Sequence, residues 1–316
     1  MKFRFLVGLA IGSLLVGSSV YAQRSVKKPK RAAPPTFKPN EFSGVFFSDA
    51  LSQLSGELPS APSAMAATTK PDKGNAAATN EGDAPLTGKA VWKELISAGT
   101  LEDLVKESKT RLDGIITNPA GFQTNVGKAR REFTLIAASM AVIAQYPEEI
   151  RWQSSAAYSQ RIFARTAINC KVPSTPVFNE AKQRQQDLQN LLKGSKLSGN
   201  AEEVTWEETA DRSPSMILLE WSIREHLLPY TSNEKKFRDS QEDVIKFAEL
   251  IAMFGNIIQQ PGMTDADVEE YQQFASVMTQ AAVDAAKAAR SNDADLTRSA
   301  VSRIDQACNK CHETYK

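Results

Sequence analysis

The sequence predicts an all-α protein, two tandem four-helix-bundle domains preceded by a disordered N-terminal region. Three observations point there. Alanine and glutamine are plentiful while β-branched runs are few, a balance that favours helix over sheet. From Trp92 onward, apolar residues recur at spacings of three and four, which gathers them on one helical face. That pattern also repeats: Leu101 matches Met216, 115 positions later, Leu104 matches Leu219, Leu112 matches Leu227 and Phe122 matches Phe237. Ordered matches at one offset, with copies of domain size, read as a duplicated unit.

Residues 1–22 read as a signal peptide. Lys2 and Arg4 precede the apolar stretch Phe5–Val20, and Val20 and Ala22 are small residues where a signal peptidase reads, so cleavage is expected after Ala22. The stretch is short and interrupted by Ser and Gly, which makes a retained membrane anchor the weaker reading. Residues 23–88, rich in Pro, Ala, Ser, Thr and Asn, read as a disordered linker. An island at 42–54 (Phe42, Val45, Phe46, Phe47, Leu51, Leu54) is expected to form a short amphipathic helix docked on the folded body. The two copies then span 89–193 and 213–316, joined by a polar linker at 194–212 in which Trp206 is a candidate docking anchor.

The formal charge of +1 falls to about −1 once Lys2 and Arg4 are removed, leaving 36 basic against 37 acidic residues. Nothing in that balance argues for a nucleic-acid partner.

The second copy divides into four expected helices. Ser213 reads as the N-cap of the first, with Pro214 at its opening position and Met216, Leu219, Ile223, His226, Leu227 and Tyr230 as its stripe. Val244, Phe247, Ile251 and Ile258 mark the second, which Pro261-Gly262 ends. Asp265 or Asp267 is the expected cap of the third, whose stripe runs from Tyr271 through Phe274 and Met278 to Ala289. The fourth carries Leu296, Ala300, Ile304, Ala307, Cys308, Cys311, His312 and Tyr315, spacings that put the cysteines and the histidine on the buried face. Short connections make neighbouring helices antiparallel.

The three cysteines, Cys170, Cys308 and Cys311, are too few for a disulfide framework. Cys308-Asn309-Lys310-Cys311-His312 matches C-x-x-C-H, the pattern of covalent c-type haem attachment. Two thiols one helical turn apart can each add to a haem vinyl group, and the adjacent histidine is then presented to the iron as its proximal ligand. The rival readings are a C-x-x-C disulfide and half of a zinc site. Zinc needs two further ligands, for which His226 and a distant Cys170 are a poor supply. A thioredoxin-like dithiol opens a helix after a strand, whereas this pair lies deep inside one. A single motif implies one haem. The first copy ends Asp187–Lys193 with neither Cys nor His and cannot hold a haem by this chemistry.

The tail Cys308–Lys316 resembles that of the cytochrome c-prime family, class II of the c-type cytochromes, in which C-x-x-C-H ends a four-helix bundle. The resemblance covers about residues 213–316 and, faintly, 91–193. It implies thioether attachment at Cys308 and Cys311, axial ligation by His312 and a bacterial periplasmic setting. Lys316 stands where the family commonly has arginine.

Four functions compete: a periplasmic electron carrier with a redox partner protein, a binder or sensor of a small gas at a vacant sixth iron site, a haem-dependent enzyme, and an interaction scaffold stapled by haem. An enzyme such as a peroxidase would want a distal His or Arg, and the sequence offers little, so none is assigned. The first two divide on the sixth ligand. In an antiparallel bundle His312 lies level with Met216 to Glu220, which makes Met216 and Leu219 the distal candidates, with Met216 more readily core filler than ligand. His226 is about 15 Å further along that helix and reads as a hydrogen-bonded, half-buried histidine. The haem-less copy is expected to pack against the haem copy within the chain.

Overall fold

The computed structural model describes residues 91–200 and 203–315, all within one compact unit, Ala76–Lys316. The expected signal peptide at 1–22, the linker at 23–88 and the island at 42–54 lie outside the described residues. Every regular element among the described residues is helical, as composition and periodicity predict. None of these helices is long and apolar enough to cross a membrane.

The first half contains a short α1 (Val91–Leu95) and four long helices, α2 (Ala98–Ile115), α3 (Pro119–Gln145), α4 (Gln153–Asn169) and α5 (Thr175–Leu192). Local chemistry sets their starts. Ser97, Asn118 and Ser174 each cap a helix by accepting a backbone N–H, and prolines follow the last two in the first turn. In this half α2 packs on α3, α3 on α4, α4 on α5, and α5 returns to α2. A single helical turn, α6 (Trp206–Thr209), interrupts the polar stretch after α5; a full capping box between Thr205 and Glu208 closes it. Trp206 meets the Trp92 ring at 5.5 Å, so the expected anchor does find a hydrophobic partner.

The second half opens with α7 (Arg212–Trp221), which runs without a break into a π-helical turn (Ser222–Leu227) and a last turn, α8 (Leu228–Tyr230). A short α9 (Glu234–Asp239) leads to α10 (Gln241–Ile257), α11 (Glu269–Arg290) and α12 (Ala294–Thr314). The π turn packs on α10, α10 on α11, α11 on α12, and α12 returns to the π turn.

Three boundary expectations need correction. Ser213 does not cap α7; that place belongs to Asp211, whose carboxylate pairs with Arg130 and Lys171 instead of closing the helix end. Neither Asp265 nor Asp267 caps α11, which Val268 precedes in extended backbone. Asp265 sits at φ +62° and pairs with Arg212, so a tertiary ion pair has claimed the carboxylate. Leu296 is 62% exposed and Thr297 is fully buried in its stead. The buried stripe of α12 therefore starts one residue later than its apolar pattern suggests.

One buried apolar cluster runs through both halves. Charged pairs join them as well. Lys246 on α10 pairs with Glu107 on α2 at 2.6 Å. Glu249 on α10, almost wholly buried, accepts from the Ser97 N–H at 3.3 Å and the Ser97 hydroxyl at 3.0 Å while pairing with Arg290.

Candidate functional site

The end of α12 forms one wall of a cavity of about 210 Å3. Helical spacing explains why the motif faces it: Ile304, Ala307, Cys308 and Cys311 follow at three- and four-residue steps, the first two buried in the core and the cysteines half-buried at its edge. Cys308, Cys311 and His312 all line the cavity. His312 differs from expectation in burial, because its side chain is exposed. It follows Cys311 by one residue, about 100° around the helix, and so turns out of the buried stripe toward the cavity rim.

The remaining walls come from α7 with its π turn and from α11. Met216, Leu219 and Ile223 line the cavity from the first, Tyr271, Phe274 and Met278 from the second. The structure thus brings Met216 and the C-x-x-C-H residues to one cavity. It leaves His226 elsewhere: the ring stacks on Phe247 at 3.7 Å, lies edge-on to Trp221 at 4.6 Å, and its Nδ1 meets the Tyr230 hydroxyl at 3.2 Å.

The thiols sit in a low-polarity wall. Burial pushes the Cys308 thiol up to about 12, and burial raises Cys311 as well. Both cysteines are free. The Cys308 sulfur lies 3.6 Å from the Met278 sulfur, a soft contact that packs α11 on the motif. Burial also takes the Tyr271 hydroxyl up to about 12, with Arg212 over its ring at 5.5 Å opposing the shift. At the rim Arg224 pairs with Asp305 at 2.9 Å. Neither the Met278 contact nor the arginines were singled out by spacing or motif, since both depend on which helices the fold brings alongside α12.

No group of three or more His, Cys, Asp or Glu side chains among the described residues is arranged to hold a bare metal ion. The donor set present, two thiols and an imidazole on one helical turn beside an apolar cavity, fits covalent haem. Cys170 is a different case. It is buried at the end of α4, and burial takes its thiol up to about 12, which makes it an inert core residue.

The family model Cytochrome C' matches residues 234–316, from α9 to the C-terminus of the chain. That region is therefore similar to a family whose members are c-type cytochromes with covalently bound haem, typically periplasmic. The match leaves α7 and its π turn outside. No curated protein and no solved structure matches the chain.

Proposed function

We propose that the chain is an exported, periplasmic c-type cytochrome that carries one haem and transfers electrons to a redox partner protein. The observation that carries the reading is the placement of Cys308, Cys311 and His312 together on the wall of one apolar cavity. Cys308 and Cys311 would hold the haem through thioethers, and His312 would ligate its iron. When bound, the haem supplies one-electron chemistry and a site for a diatomic gas. The protein's own residues do the rest. Leu219, Ile223 and Tyr271 line the apolar side of the cavity and would keep water from a haem held there, and Arg224 at the rim is held by Asp305.

A second reading, binding of a small gas at a vacant sixth site, is favoured by one observation. The chain has only two histidines, and His226 is stacked on Phe247 away from the cavity, so it is not available as a second imidazole ligand. Met216 is the candidate ligand on α7, Met278 faces the same cavity from α11 with its sulfur against Cys308, and Leu219 cannot ligate. We also read the two halves as similar four-helix bundles packed within the chain, supported by the closed ring of helix contacts in each half and by the ion pairs between them.

Denatured protein run on a gel should keep haem colour, and Cys308→Ala with Cys311→Ala should abolish it. Colour surviving the double substitution would defeat the reading. An optical spectrum of the reduced protein with and without carbon monoxide separates the two functions.

A further inference from the structure

Five residues of the cavity wall, Met216, Leu219, Glu220, Ile223 and Arg224, lie on α7 and the π turn that continues it. Trp221 sits between them in sequence and does not line the cavity. Its ring has four close neighbours. Phe247 meets it edge-on at 5.3 Å and His226 edge-on at 4.6 Å, both from the second half. The guanidinium groups of Arg131 and Arg111, from the first half, lie over it at 4.5 and 5.2 Å.

Those two cations are themselves fixed. Glu132 is fully buried, and it receives Arg111 Nε at 2.9 Å on one carboxylate oxygen and Arg131 Nη2 at 2.7 Å on the other. A carboxylate with no access to water needs both partners, so the pair cannot drift without leaving a buried charge alone. The clamp on Trp221 is thus anchored on Glu132, with Arg111 held as well by Glu107 at 3.3 Å and Ser108 at 3.1 Å, and cation–aromatic contacts of this kind strengthen as water is excluded.

The π turn begins at the very next residue. Such a turn holds one residue more than an α-helix allows and rotates everything after it, and turns of this kind are frequent at functional sites. Here it keeps Ile223 and Arg224 on the cavity side while His226 stacks on Phe247. One face of a short segment touches the cavity; the opposite face touches the haem-less half.

We propose that Trp221 is a positioning residue, through which Arg111 and Arg131 of the haem-less half fix the α7 wall of the haem cavity and so tune what the iron binds. This rests on the haem reading above for its chemical consequence, and on the clamp geometry alone for the placement of the wall. The first half then has a task that needs no haem of its own. It acts as an outer support, holding residues that in turn face the cofactor.

The test compares the full-length protein with Trp221→Leu, Trp221→Phe and Phe163→Leu. The last thins the stacked Phe133–Phe163 pair of the first half and serves as a control for general loosening. Amide hydrogen exchange over residues 216–227 reads the wall whether or not haem is attached. Carbon monoxide affinity and the reduced absorption spectrum read the iron. Trp221→Leu should speed exchange across that segment and change carbon monoxide affinity, each by about 10-fold. Trp221→Phe keeps an aromatic face for both guanidinium groups and should stay close to the parent protein, as should Phe163→Leu. Parent-like exchange in Trp221→Leu, or a change in Phe163→Leu as large as in Trp221→Leu, overturns the proposal. A parent protein without haem overturns the haem reading instead, and the exchange arm still decides whether the clamp places the wall.

Discussion

In the first half, the last long helix ends against a filled core. Leu188 and Leu191 are buried on α5, and Arg151 donates to the Leu192 carbonyl at 2.7 Å while lying over the Trp152 ring at 4.9 Å. Trp152 is buried there in spite of two costs. Its backbone is left-handed, at φ 68°, and its indole N–H is buried without a hydrogen-bond partner. The strain costs about 1–2 kcal/mol and the orphaned donor about 1–3 kcal/mol. Burying a Trp side chain contributes about 4–6 kcal/mol, which covers both. In the second half, α12 ends beside an open cavity lined by Cys308, Cys311 and His312. The last long helix of one half thus ends near a buried tryptophan, and that of the other beside an open cavity. On the haem reading proposed above, what stands at the end of the last helix decides which half can take the cofactor.

The sharpest way to break that comparison is to remove the buried Trp152. Trp152→Ala should cost about 3–5 kcal/mol in denaturant unfolding, and the variant should gain no covalent haem beyond that at Cys308 and Cys311. A loss below about 1 kcal/mol would mean that Trp152 does not fill the first half.

Next in size is the junction of the halves. Glu132→Ala leaves Arg111 and Arg131 without their buried partner and should cost about 3 kcal/mol, read by the same unfolding curve. The effect should appear with or without haem, since none of the three residues lines the cavity.

The pH dependence comes third. Burial lowers the His226 imidazole to about 4 in the folded chain, against about 6.5 unfolded. The unfolded chain then binds the extra proton between those values, so stability is unaffected above pH 6.5 and falls as pH drops from 6.5 toward 4. His226→Leu should flatten that part of the stability profile, and an unchanged slope would show that the ring is not held neutral. Smallest is Met216→Leu. As a core filler, Met216 should be replaceable at less than about 1.5 kcal/mol, with the reduced spectrum unaltered. A new spectrum in that variant would make Met216 a ligand and weaken the gas-binding reading.

Much of this was legible beforehand because it is local. The C-x-x-C-H spacing of Cys308, Cys311 and His312 points to the haem attachment proposed above, and the stripes of α10 and α11 follow from period. The failures came where distant residues decide. Ser213 is a fit cap by type, yet the start of α7 is set by Asp211, which Arg130 and Lys171 hold from the first half. Leu296 is apolar but exposed, because α12 turns Thr297 inward and that hydroxyl bonds the Asp293 carbonyl at 2.6 Å. The π turn has no sequence mark of its own. It shows only once Trp221 and His226 are seen against Phe247.

Glu249 also says something about how the chain should melt. Its carboxylate holds the cap residue of α2, and the same group holds Arg290 at the end of α11. Opening α2 therefore takes two hydrogen bonds from a nearly buried carboxylate of the other half, which ties their fates together on heating. Calorimetry should record a single peak whose van't Hoff and calorimetric enthalpies agree, where independent halves would give two.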